Sequence, residues 1–275
     1  MRKEEIEDIE VELFLNAVHR RYGQDFRNYS RVSMKRRIRG ILAKSNRGAI
    51  SELIPALLHD ESFFETIVYD LSVTVTHMFR DPPFFTTLRE RVIPYLKTYP
   101  FVRIWHAGCA TGEEVYSLAI VLMEEGFYDR TTIFATDFND LALSRAREGI
   151  YPLEMMREYT ANYQSAGGTG SFAQYYRAGY DAAVLDSSLK KNITFANHNL
   201  VTDSIFSEVH LIVCRNVLIY FDRTLQNKVL KLFRDSLVRG GVLALGSKES
   251  MQFSEVAGDF KMLSQKWKIY QKMKQ

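Results

Sequence analysis

The chain has 275 residues, of which 46% are hydrophobic and 25% charged, with a formal net charge of +3. That is the composition of a globular protein long enough for one large domain or two smaller ones. Two cysteines, Cys109 and Cys214, exclude a disulfide framework, and six scattered histidines argue against a zinc centre, so no metal is expected. No apolar run approaches the roughly 20 residues of a membrane span. The opening MRKEEIEDIEVELF, acidic and amphipathic, carries no signal peptide, so a cytoplasmic protein without membrane insertion is expected.

Up to about residue 73 the pattern predicts short helices. Ile9, Leu13 and Val18 give a rough apolar stripe, and so do Met34, Ile38, Ile41 and Leu42 in the next helix. Lys35, Arg36 and Arg39 fall on the opposite face of that second helix. They belong to a run from His19 to Arg47 that holds ten basic residues and one acid, a strong field for an anionic partner. Further helices are predicted over 50–58 and 63–71. In FRDPPFF, Pro82 and Pro83 interrupt, and Asp81 is expected to be extended before the proline. A helix over 84–97 ends before Pro100.

Beyond Pro100, strands and helices alternate. FVRIWHA, TTIFATD, ITFANHNL, VHLIVCRNV and GGVLALGS read as strands, with helices over 113–125, 139–148 and 224–237. FKMLSQ and WKIYQKM read as a terminal antiparallel pair. Such alternation predicts an α/β domain with a mostly parallel sheet covered by helices. Residues 153–191, with SAGGTG and several tyrosines, interrupt the pattern and read as an inserted small subdomain. The expected division is thus a helical domain over 1–75, a linker and helix over 76–99, and an α/β domain over 100–275.

The stretch IWHAGCATGEEVYSLAI carries a chemical contradiction. A glycine-bounded loop opens a helix, where proteins hold phosphates. Glu113 and Glu114 at that helix start would repel one, although they also suit the positive end of a helix dipole. The loop is neither GxGxxG nor a P-loop. Ligands of doubly wound sheets sit beyond the carboxyl ends of strands, which here carry Gly108, Glu113 and Glu114, then Asp137, Asn199, and Arg215 with Asn216. An acid after the second strand suits the two hydroxyls of a ribose. A phosphate-free, cationic adenosine cofactor reconciles these features, and S-adenosylmethionine is one. There is no Ser-His or Cys-His arrangement, and none is required for methyl transfer to a carboxylate, which is already ionised at neutral pH.

The segments TVTHMFRDPPFF, WHAGCATGEEVYSLAI, FATDFND, REGIY, HNL, CRNVLIYFD and RGGVLALGSKES occur in this order. Together they resemble the chemotaxis receptor methyltransferase (CheR) family over roughly residues 10–270. The resemblance implies a Rossmann-like S-adenosylmethionine-dependent methyltransferase fold with a small inserted β-subdomain, preceded by an all-helical domain. The implied activity is methyl esterification of glutamate side chains on chemoreceptor cytoplasmic helices, leaving S-adenosylhomocysteine. It further implies cofactor-contacting roles for Thr76, Arg80, Glu113, Glu114 (the more direct of the pair), Asp137, Asn199, Leu200, Arg215 and Asn216, and a place near the transferred methyl for Tyr220. Thr74 stands where the family usually has asparagine, with a hydroxyl in place of the amide. On this reading Arg80 orients a carboxylate, Tyr220 faces the sulfonium, and Lys35, Arg36 and Arg39 dock the receptor; a monomer without nucleic-acid partners is expected. An RNA or other protein methyltransferase and a catalytically silent S-adenosylmethionine sensor are the competing readings.

Overall fold

The computed structural model describes residues 2–72, 74 and 76–273, which divide into two compact units. The first contains the helices α1 (Lys3–Tyr22), α2 (Arg31–Lys44), α3 (Ile54–His59) and α4 (Glu61–Leu71), together with the segment Leu218–Val229. Helix α1 turns Val11, Phe14, Leu15 and Val18 inward, at helical spacing, while Ile9 and Leu13 are about half exposed. The predicted stripe through Ile9 and Leu13 was therefore the wrong face, because both faces carry apolar residues and the neighbouring helices select one. In α2 the buried residues are Met34, Ile38 and Ile41, as the pattern predicts. Asp60 starts α4 by accepting N–H bonds from Ser62 and Phe63.

The second unit begins with α5 (Pro82–Thr87) and α6 (Ile93–Leu96), which are joined by a π-helical turn over Leu88–Val92. A single helix over 84–97 was expected. Pro94 has no N–H to give the ladder, and the extra residue of the π turn absorbs the break, with Ile93 N bonding to Leu88 O. Next come β1 (Val102–Ala107), α7 (Glu113–Glu124), β2 (Thr131–Asp137) and α8 (Asp140–Glu148). Then β3 (Ile150–Pro152), α9 (Met156–Ser165), β4 (Tyr176–Ala178) and β5 (Ala182–Leu185) form the smaller part, with sheet order β3-β5-β4. The strands β6 (Ile193–Asn197) and β7 (Val209–Cys214), the part of helix α10 (Arg223–Ser236) from Leu230 onward, and the strands β8 (Leu237–Leu245), β9 (Phe260–Ser264) and β10 (Ile269–Lys272) complete it.

The main sheet has the order β6-β2-β1-β7-β8-β10-β9, parallel from β6 through β8 and antiparallel at β10 and β9. Ile104, Ile133, Leu211 and Val242 fill its core. Helix α7 is buried continuously from Glu113 to Leu122. The predicted fold class is the one observed. Chain direction across the sheet reverses at β1, whose neighbours are β2 and β7, and the carboxyl ends of β1 and β7 are where a sheet of this kind places its ligand.

Candidate functional site

The loop after β1 is built for close approach. Gly108 takes φ 71, Ala110 φ 49 and Gly112 φ 92, a left-handed sequence that glycine adopts cheaply. Gly108 N and Cys109 N both donate to Thr136 O, at 2.8 and 2.9 Å, which ties the loop to the end of β2. A Cβ on Gly108 would stand 2.5 Å from Val217 Cγ2, so a side chain here forces Val217 to move. Asp137 joins the same loop: its Oδ2 accepts from Ala110 N at 2.9 Å and its Oδ1 from Asn139 N at 3.0 Å. Asn139, not Asp137, caps α8. Burial nonetheless raises the Asp137 carboxyl above its ordinary range, those N–H bonds opposing.

The two acids that open α7 have different partners. Glu113 is buried and accepts from Thr111 Oγ1 at 2.7 Å. Burial pushes its carboxyl up to about 7, and the Thr111 bond only partly opposes this. Glu114 is equally buried, yet its carboxyl is held below the ordinary value, because Arg215 and then His106 outweigh burial. Arg215 Nη1 donates to Glu114 Oε2 at 2.5 Å and Nη2 to Asp81 Oδ2 at 2.5 Å. Its guanidinium lies 4.0 Å above the Phe84 ring, and its side chain is fully buried. His106 Nε2 stands 3.3 Å from Glu114 Oε1, but that oxygen has no hydrogen bond among the described residues.

Asp81 was expected to be extended. It instead takes φ 57 and ψ 67, and Phe79 before it has φ 53. The ion pair to Arg215, the bond from Phe84 N to Asp81 O at 2.8 Å and the bond from Phe79 N to Ser117 Oγ at 2.8 Å fix this turn against the local preference. Asp81 therefore serves Arg215, not its neighbour Arg80. The Arg80 carbonyl accepts from Arg215 Nη1 at 3.3 Å, while its half-buried guanidinium pairs with no described residue and lowers the Glu114 carboxyl. The Thr74 carbonyl receives a long bond, 3.4 Å, from Thr111 Oγ1. Thr76 is half-buried in the same strap.

At the end of β7, Asn216 takes φ 61, and its side-chain Oδ1 is buried without a hydrogen bond among the described residues. Beyond β6, Asn199 Oδ1 accepts from Val201 N at 2.9 Å in a local turn, and Leu200 is buried. Within the second unit the folding thus gathers Gly108, Glu113, Glu114, Asp137, Arg80 and Arg215 into one linked network. Asp81, Thr111 and His106 also belong to it and were not singled out from sequence, nor was Glu249, which accepts from Asn216 N beyond β7 and lies in GSKES just after a strand, where a signal was available.

Tyr220 belongs to the first unit, where it closes a 3-10 turn over Leu218–Tyr220, its carbonyl accepts from Ser30 N at 2.7 Å and Arg37 lies 5.3 Å from its ring. The docking face is also different from the bare cationic surface expected. Lys35 pairs with Asp8 at 2.7 Å, and Arg39 grips Glu7 with bonds of 2.5 and 2.7 Å; Arg36 is exposed and has no partner among the described residues. Cys109 and Cys214 are buried, and burial drives both thiols up, away from the thiolate form. No group of metal-ligating side chains occurs among the described residues.

The crevice can be tested against a cationic adenosine compound. Glu114, Asp81 and Asp137 are set against Arg215 and Arg80, and Glu113, whose carboxyl is pushed up to about 7, adds part of a further negative charge, which leaves an acidic balance. Asn216 Oδ1 and Glu114 Oε1 are buried acceptors lacking a donor. The residues therefore fit such a compound and oppose a phosphate.

Residues 74–269 match the family model described as CheR methyltransferase, SAM binding domain, and residues 9–72 match CheR methyltransferase, all-alpha domain. A Pseudomonas putida protein named Cher3 is 48% identical over 272 residues, which cover 99% of this chain and 100% of that one. A chemotaxis protein methyltransferase of Listeria innocua is 32% identical over 240 residues, covering 86% of this chain and 88% of its own length. Among solved structures, the N-methyltransferase NodS of Bradyrhizobium japonicum, in complex with S-adenosylhomocysteine, is 17% identical with a TM-score of 0.33 and covers 62% of each chain. The acidic, glycine-lined crevice and the match of both domains lead to one conclusion: the chain belongs to the CheR methyltransferase family, with S-adenosylmethionine as its cofactor.

Proposed function

We propose that this methyltransferase esterifies glutamate side chains on the cytoplasmic helices of chemoreceptors. The observation that carries the proposal is Arg80: a half-buried guanidinium, unpaired among the described residues, beside Glu114 and Arg215, whose charges are already paired with one another. Such a group suits an incoming carboxylate, which it can hold through a forked pair of N–H bonds.

The chemistry makes few demands on the protein. S-adenosylmethionine supplies a methyl group made electrophilic by its sulfonium. The glutamate carboxylate needs no general base, since its ordinary pKa is about 4.3. The new C–O bond forms as the C–S bond breaks, and positive and negative charge partly cancel in the transition state. Glu114, Arg215 and Asn216 Oδ1 are buried, and a site that holds little water favours the partly neutralised arrangement over separated charges. Orientation is the other contribution, worth up to roughly 7–11 kcal/mol in favourable intramolecular cases. On this reading Asp137 holds the ribose and the Asn216 amide receives a cofactor donor.

The basic face of α2 is the proposed docking surface. Asp8 and Glu7 already occupy Lys35 and Arg39, so an acidic receptor helix must exchange those pairs, whereas Arg36 is available directly. The test is transfer of tritiated methyl from S-adenosylmethionine to purified chemoreceptor cytoplasmic fragments. A glutamyl ester releases its label as methanol in mild base. Base-stable label, or none on any fragment while the cofactor binds, would remove the proposal.

A further inference from the structure

Glu249 follows β8 and is 3% exposed. Its carboxylate accepts backbone N–H groups from two strand ends: Asn216 N at 3.1 Å and Val217 N at 2.8 Å beyond β7, and Gly246 N at 2.5 Å beyond β8. A turn closed by Glu249 N on Gly246 O at 2.9 Å directs the side chain back to both. Bonds from N–H groups to a carboxylate are roughly twice as strong as neutral ones.

Two strained or crowded features depend on this clamp. Asn216 is left-handed, a conformation that persists only where the surroundings enforce it. Val217 fills the space a Cβ on Gly108 would need, so the position of Val217 also sets how the loop after β1 sits. One buried carboxylate therefore fixes the end of β7 directly and the glycine loop through Val217.

We propose that Glu249 is a positioning residue for the cofactor: it holds Asn216 and Val217 so that the buried Asn216 amide and the Gly108 loop meet S-adenosylmethionine in register. The inference rests on Asn216 being a cofactor contact, as proposed above. A merely structural Glu249 would lower stability without a specific effect on that contact, so the test reads the coupling between the two residues.

S-adenosylhomocysteine affinity is measured by calorimetry for the wild type, Glu249→Gln, Asn216→Ala and the double variant. Phe127→Leu, a core substitution just beyond the far end of α7, serves as a destabilised control. Expected are at least a tenfold loss for each single variant, a double variant whose loss falls at least threefold short of the product of the two single losses, and a control within twofold of wild type. Wild-type affinity in Glu249→Gln, or single losses that add fully in the double variant, overturns the inference. If Glu249→Gln does not fold, Glu249→Asp takes its place, with the same tenfold loss expected and unchanged affinity overturning. Tight wild-type binding with no loss in Asn216→Ala rejects the Asn216 contact itself, a different failure from that of Glu249.

Discussion

Replacing Glu113 by glutamine should stabilise the second unit above neutral pH. The Glu113 carboxyl is pushed from 4.5 up to about 7, chiefly by burial. Because the folded value is the higher, the native state retains a proton that the unfolded chain has lost. The native state is at no disadvantage below about 4.5, loses stability as pH rises from there to about 7, and carries the full penalty above it. A difference of about 2.5 pH units corresponds to ~3 kcal/mol at 1.36 kcal/mol per unit. The glutamine amide imitates the protonated acid, since its carbonyl can still accept from Thr111 Oγ1. Urea unfolding followed by tryptophan fluorescence reports on this unit alone, because Trp105 and Trp267 both belong to it. Glu113→Gln should match wild type near pH 4.5 and exceed it by ~3 kcal/mol at pH 8. A stability difference that stays constant across this range would refute the reasoning, and would mean that Glu113 is ionised in the native state throughout.

Arg215→Met should cost ~3–5 kcal/mol at pH 7, the usual loss when one partner of a buried pair is removed. Glu114 is held below 4.5 by that arginine, so the loss should shrink as acid protonates the carboxyl; a pH-independent loss in the same urea assay would contradict this. Gly108→Ala should fold less stably by about 1–2 kcal/mol for its left-handed φ alone and should bind S-adenosylhomocysteine at least tenfold more weakly in calorimetry, given the contact with Val217. Glu7→Gln should free Arg39 and raise methylation of an acidic receptor fragment up to about fivefold at low salt, an advantage that 0.5 M salt abolishes, while Arg36→Ala should lower it. Initial rates at two ionic strengths check this, and equal rates for all three proteins would eliminate α2 as the docking face.

Much of the architecture was legible because it rests on period and punctuation. Alternating apolar strands and glycine-stopped helices determine an α/β sheet, and the acids opening α7 exclude a phosphate from arithmetic of charge alone. Where two faces of a helix are both apolar, as in α1, composition cannot choose between Leu13 and Phe14; the neighbouring helices do. Local rules also fail where a distant charge outweighs them. The residue before a proline prefers an extended backbone, yet Asp81 is left-handed because Arg215, far along the chain, binds its carboxylate. The same holds for Lys35 and Arg39, exposed cations by pattern and paired ones in the fold. Sequence by itself determined which chemical groups stand at each strand end, since those positions follow from the strands. Only the tertiary structure decided which of them pair, because pairing depends on distances between segments that share no local pattern: Arg215 with Glu114 and Asp81, and Glu249 with the backbone of Asn216, Val217 and Gly246.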